Sequence, residues 1–226
     1  MIETQEKKGD IFHKIGGKDN FNKMFYGITK GIAGLGLNTF FNLKIEGKHN
    51  IPMHNKAIIT TISDNVLRDI FIISQLTSRQ IHFMLSPKLM KNQVAGPILK
   101  TLGMFRSTES KEDKEPIEKV FDYLNNKGDL VAMTPESKLE YDIQIKTMSA
   151  IIKFAVAANS PIIPLAIYVT KGKLLNMIDI NGLVMRVGSP LSVEKRLSRD
   201  KFRDQRYELA EGVIKIIDSL KKPISQ

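Results

Sequence analysis

The sequence has no cysteine and no tryptophan. Without cysteine, disulfides, thiolate nucleophiles and sulfur-ligated metals are excluded, and a reducing compartment is compatible. Histidine is scarce: His13, His49, His54 and His82 are the four. None of them stands at the spacings that metal sites use, so no metal is expected. Aromatic residues make up only 7% of the chain, and no basic run carries interleaved aromatics. Nucleic acid therefore ranks last among partners. Long apolar runs are missing as well. The uncharged stretch from Gly31 to Leu43 is shorter than the roughly 20 residues of a spanning helix and belongs with interfacial or buried segments. The first ten residues are charged and lead to no small-residue cleavage pattern, so no signal peptide is expected.

What the sequence does have is a basic excess, 34 Lys+Arg against 24 Asp+Glu, for a net charge of +10. Such a balance favours polyanions such as anionic lipid or phosphorylated substrates; the plainer reading is a lysine-rich solvated surface. A hydrophobic share of 42% and 226 residues suit one α/β domain with a full core.

Periodicity supplies the element order. From Phe21, the positions Met24, Phe25, Ile28, Ile32 and Leu35 recur at helical spacing beside Lys23 and Lys30. Gly27, Gly31 and Gly34 fall on the same stretch, at about 1 kcal/mol each relative to alanine in a water-exposed helix. That segment reads either as a packing helix of the core or as a membrane-surface helix with lysines at the headgroups. Residues 1 to 20 are polar and read as a frayed start or a short amphipathic helix. Strands are expected at 43–46, 57–62, 81–85, 129–132, 162–169 and 183–187, with a brief extended piece at 104–106. Helices are expected at 68–76, 116–126, 146–158 and 193–220. The charged loop from Ser107 to Glu115 reads as mobile. Alternating strands and helices predict a single-domain, mostly parallel mixed sheet covered by helices on both faces. An N-terminal helical segment, residues 1–42, precedes the α/β unit, residues 43–226.

Two polar turns follow apolar strands, and such strand ends are where open α/β sheets hold ligands. The first, Thr60 to Ile70, carries Asp64 and Asp69. The second, Met133 to Lys138, carries Glu136, Ser137 and Lys138. Taken alone, Asp64 and Asp69 are ordinary N-terminal acids of the next helix. Lys88 and Arg106, taken singly, are surface charges, and His82, alternating with apolar neighbours, reads as structural.

In order along the chain, these motifs resemble the glycerolipid acyltransferases of the lysophosphatidate (1-acylglycerol-3-phosphate) acyltransferase type. Lys44 to Gly47 is similar to that family's entry strand, and Ser63 to Asp69 falls at its His-x4-Asp motif. Pro87-Lys88-Leu89 and Leu102 to Arg106 fall where it carries a lysine and an arginine for the glycerol phosphate. Thr134 to Lys138 resembles Phe-Pro-Glu-Gly-Thr-Arg, Pro161 to Pro164 its Val-Pro-Ile-x-Pro element, and Gly188-Ser189-Pro190 its Gly-x-Pro.

The resemblance implies acyl transfer from acyl-CoA or acyl carrier protein to a lysophospholipid, with no further cofactor. It implies Asp64, Asp69 and Glu136 as catalytic residues and Lys88, Arg106, Ser137 and Lys138 as substrate-binding ones. It also implies a peripheral or monotopic location on an anionic membrane surface, at its cytoplasmic face. Departures from the family pattern bear on the chemistry. Asp64 stands at the family's histidine, Ser137 at its glycine, Leu139 at its arginine, and Met148-Ser149-Ala150 at a lysine and glycine. The resemblance thus leaves open an Asp64–Asp69 pair sharing a proton, His82 as a substitute base, and a relative that binds lipid without turnover.

Overall fold

The computed structural model describes residues 17–110, 112–174 and 178–222; most of the polar start lies outside them. The elements are α1 (Gly17–Phe41), β1 (Lys44–Glu46), β2 (Ala57–Thr60), α2 (Val66–Ser74), β3 (Ile81–Leu85), α3 (Pro87–Met90) and α4 (Ala95–Thr101). They continue with β4 (Phe105–Arg106), α5 (Glu115–Phe121), β5 (Leu130–Met133), α6 (Tyr141–Ala158), β6 (Ile162–Leu174), β7 (Ile178–Val187) and α7 (Arg203–Leu220).

The strands form one seven-stranded sheet in the order β1-β7-β6-β2-β5-β3-β4. All neighbours are parallel except β6 and β7. The mostly parallel mixed sheet read from the sequence is the one found. Its centre is built from β2 (AIIT) and β5 (LVAM), whose residues are all buried. Strands covered on both faces need such unbroken apolar runs. Successive side chains point to opposite faces, so Ile59 joins a core with Tyr26, Ile70, Ile73 and Leu99, beneath α1, α2 and α4. Ile58 joins a second core with Leu124, Met148, Ile152 and Ile214, beneath the helices α6 and α7. Each fully buried Ile or Leu adds about 1.5–3 kcal/mol.

Several boundaries differ from the sequence reading. α2 begins at Val66, two residues before the expected start, because Asn65, in an extended conformation, accepts a 3.1 Å bond from the Arg68 N–H and caps it. α6 begins at Tyr141, a turn earlier than its apolar period suggests. Gln144 fastens that turn by donating to the carbonyls of Ser137 and Leu139. The expected helix 193–220 is α7 preceded by two 3-10 turns, Lys195–Ser198 and Asp200–Phe202. Buried Arg206 binds the Leu197 carbonyl there at 2.6 Å, and its Nε donates to Ser149 Oγ. The helix 116–126 runs from Glu115 and ends in a π turn, Asp122–Asn126. The β6–β7 hairpin extends well past the expected strands, pairing as far as Leu174 with Ile178. The charged loop after β4 is tied down on both sides: Lys91 pairs with Glu109 at 2.8 Å, and Arg106 with Asp113 and Glu115.

Candidate active site

The parallel strands β2, β3 and β5 all end on one edge of the sheet. There the turns after β2 and β5 are joined. The Ser63 N–H donates to the Pro135 carbonyl at 2.9 Å, and the Ser137 N–H donates to the Ser63 carbonyl at 2.8 Å. The β2–β5 pairing thus resumes as a parallel bridge between Ser63 and Glu136. Below it, the Thr60 hydroxyl donates to the Met133 carbonyl at 2.8 Å and fixes the two strand ends together. This backbone arrangement, rather than any side-chain pairing, brings the two polar turns side by side.

They open into a hollow of about 450 Å³. Asp64, Glu136 and Lys138 line it from the two turns, and Lys88 reaches it from the start of α3 beyond β3. All four side chains are exposed, and none has a hydrogen-bond or ion-pair partner among the described residues. Because Asn65 caps α2, Asp64 is free of helix-capping duty. The apolar wall comes from Val66, Leu67, Met84 and Leu89. Unengaged acids and cations facing one cleft with a greasy side suit an amphiphile bearing a phosphate.

Asp69 is placed differently. It is 3% exposed; its Oδ2 accepts from the Ser63 hydroxyl at 2.7 Å and its Oδ1 from Arg68 Nε at 2.8 Å. Both carboxylate oxygens are occupied, and Asp69 does not line the hollow. The proton-sharing Asp64–Asp69 pair is therefore not the arrangement found. Asp69 instead anchors Ser63, the residue that bridges the two turns.

Arg106 also departs from its expected place. Its guanidinium pairs with Asp113 and, at 2.8 Å, with Glu115, and it is not part of the hollow's lining. The Arg106 guanidinium, with the Glu109 N–H, holds the Asp113 carboxyl below the usual carboxylate range, and the two acids hold Arg106 above its own. Lys138, not Arg106, is the second cation at the hollow. Ser137 contributes its backbone to the bridge and does not line the hollow either.

His82 lies toward the starts of the strands, paired in register with Val131. Its Nδ1 faces the Gly103 carbonyl and its Nε2 faces Asp129 Oδ2, each at 3.0 Å, while its ring stacks on Tyr123 at 3.6 Å. Two acceptors and a stacked ring make it a structural clamp on the far side from the hollow. Ser86 and Asn92 line the hollow and were missed in the sequence. Ser86 directly follows β3 and could have been found by the strand-end rule. Asn92 carries a capping signal instead, accepting from the N–H groups of Val94 and Ala95.

No group of His, Asp and Glu that could hold a metal ion occurs among the described residues. The family profile described as Acyltransferase matches residues 42–168, more than half of the chain. A search of curated proteins found no match. The fold is similar to that of the 1-acyl-sn-glycerophosphate (LPA) acyltransferase PlsC from Thermotoga maritima. The superposition has a TM-score of 0.60 at 19% identity and covers 92% of this chain and 83% of that one.

Proposed function

From the premise that this chain belongs to the acyltransferase family, we propose that it acylates a lysophosphatidate-like acceptor at a membrane surface. The acceptor hydroxyl attacks the carbonyl carbon of an acyl thioester, carried by coenzyme A or acyl carrier protein. Its proton passes to the Asp64 carboxylate; as the ester carbonyl re-forms the C–S bond breaks, and the departing thiolate takes that proton back to leave as the thiol. Glu136, across the bridge from Ser63, accepts a hydrogen bond from the acceptor and orients it. Lys88 and Lys138 neutralise its phosphate as point charges. The thioester is already activated, so this route uses no cofactor beyond the donor.

The observation that carries this reading is the meeting of Asp64, Glu136, Lys88 and Lys138 in one hollow beside an apolar wall. The resemblance to lysophosphatidate acyltransferases in motif order supports the acceptor class.

Association with the membrane is supported by α1. Its Met24, Ile28, Ile32 and Leu35 form one outward stripe, and Ile32 and Leu35 are 67% and 71% exposed. The opposite side carries Tyr26 into the core. No helix among the described residues is long and apolar enough to cross a membrane. An exposed stripe on a helix fastened to the domain suits a monotopic or peripheral seat on anionic lipid. Thioester donors made in the cytoplasm put that seat on the cytoplasmic face.

A second reading, lipid binding without turnover, is favoured by one observation: Asp69 is committed to Ser63 and Arg68 and does not line the hollow beside Asp64. A single assay separates the two. Purified protein with anionic liposomes, acyl-CoA and lysophosphatidate should form phosphatidate, and Asp64→Asn should lower the rate by roughly 100-fold or more. Equal rates in wild type and Asp64→Asn would remove Asp64 from the chemistry. Saturable lysolipid binding with no product in the wild type would establish the second reading.

A further inference from the structure

A second hollow, of about 660 Å³, lies at the opposite edge of the sheet. Lys56, Gly128 and Pro161 line it, each directly or closely preceding the first residue of β2, β5 or β6. It therefore opens where the parallel strands begin, away from Asp64 and Glu136. We propose that this hollow binds a phosphorylated small molecule, of nucleotide size, independently of the acyl-transfer site.

The charge of its walls points to an anion. None of the described lining residues is Asp or Glu. Lys56 is bonded only to a neutral partner, donating to Asn125 Oδ1 at 2.8 Å, so its charge is not cancelled. Arg79 sits behind the wall and is likewise matched only by neutral groups. It donates to the carbonyls of Pro52, Asn55 and Gly128 at 2.9, 2.8 and 2.6 Å, all three of them lining residues. The acids closest in sequence to Leu124, Asn125 and Gly128 have other partners: Asp129 pairs with His82, and Asp122 with Asn126 and Lys127. Lys56 thus faces a cleft whose described lining carries no counter-charge, with the Arg79 charge behind its wall, and such a field concentrates anions.

The remaining lining supplies donors and a floor. His49 and His54 are exposed at the rim with no partner among the described residues. Asn159 adds an amide from the left-handed cap of α6. Asn125, having given its oxygen to Lys56, keeps its amide N–H groups as donors. Pro161 and Pro190, over buried Leu124, make the rigid apolar part of the lining, suited to a flat ring. Cationic and amide donors beside an apolar plate match a phosphoryl group joined to a base, and the volume suits a ligand of that size.

The test titrates the full chain calorimetrically, without metal ions and at fixed ionic strength, with ADP, pyrophosphate and inorganic phosphate in turn. The expected result is one-to-one binding of ADP or pyrophosphate. Binding should weaken tenfold or more in a Lys56→Gln, His54→Ala double variant and change less than twofold in Lys88→Gln, Lys138→Gln. ADP binding tighter than pyrophosphate identifies a nucleotide; equal affinities identify the phosphate groups alone, and both support the site. Loss confined to the Lys88 and Lys138 variant, equal loss in both variants, or no binding of any of the three overturns it. If the double variant unfolds early, His54→Ala alone, a change at an exposed side chain, must still weaken binding at least threefold.

Discussion

The Ser63 hydroxyl donates a 2.7 Å hydrogen bond to Oδ2 of Asp69, six residues on and 3% exposed. Because the Ser63 backbone also bonds Pro135 and Ser137, this one carboxylate steadies the joint between the two turns that form the hollow. Asp69 acts on the site through Ser63, as a positioning residue.

Removing that anchor should loosen the fold as well as the site. Asp69→Ala leaves a buried hydroxyl and the Arg68 guanidinium without an acceptor, at a cost of about 1–3 kcal/mol. In a chain of this size that lowers the melting temperature by roughly 2–4 °C per kcal/mol. A variant that melts with the wild type would show that Asp69 anchors nothing.

Installing the family's histidine tests the identity of the base. An imidazole, with an ordinary pKa near 6.5, is a better base at neutral pH than a carboxylate near 3.9. Asp64→His should raise kcat at pH 7.5 by roughly tenfold, short of the ~100-fold or more that an oriented base supplies, because Asp69 is already engaged. Steady-state kinetics on lysophosphatidate read this directly, and a drop in kcat would count against a base at position 64.

Two of the cations named from the sequence, Lys88 and Arg106, should separate in kinetics. Lys88→Ala should raise the KM for the phosphorylated acceptor about tenfold, equivalent to about 1.4 kcal/mol of binding. Arg106→Ala should leave that KM within twofold, since Arg106 is matched to Asp113 and Glu115. A large KM effect from Arg106 would mean that its ion pairs open to receive substrate.

Acid should erase the benefit of those same pairs. The carboxyl of Asp113 lies below its ordinary value, chiefly through Arg106; Glu115 is lowered chiefly by Lys119, with Arg106 adding. A carboxyl depressed by folding stabilises above its unfolded pKa, and the gain is lost as pH falls through the folded pKa. Wild type should therefore have a higher urea midpoint than Arg106→Ala at pH 7, and the gap should close as the pH drops below about 4. A gap of the same size at pH 3 as at pH 7 would assign the effect to packing.

Charging the outward stripe of α1 should detach the protein from lipid. Ile32→Asp with Leu35→Asp should cut co-sedimentation with anionic liposomes severalfold, and turnover on vesicle-borne acceptor with it. Turnover on a soluble short-chain acceptor should remain. Unchanged sedimentation would move the membrane contact elsewhere.

The sequence by itself determined the layer architecture and the edge that carries the hollow. Apolar runs such as Ile58-Ile59 and Leu130-Val131 can satisfy their backbone only as strands buried on both faces, and the polar residues that end them cannot follow them into the core. Asp64, Glu136 and Lys138 were legible on those grounds, while Lys88 was named only through the resemblance in motif order. The partners of Asp69, Arg106 and His82 were decided only by the tertiary structure. A carboxylate reads the same in sequence whether it meets a substrate or a serine, and a guanidinium goes to whichever acid the fold brings within about 3 Å. The far hollow was hidden for the same reason: Lys56 and Asn125, like Arg79 and Gly128, are distant along the chain and become neighbours only when β2, β3 and β5 are laid side by side.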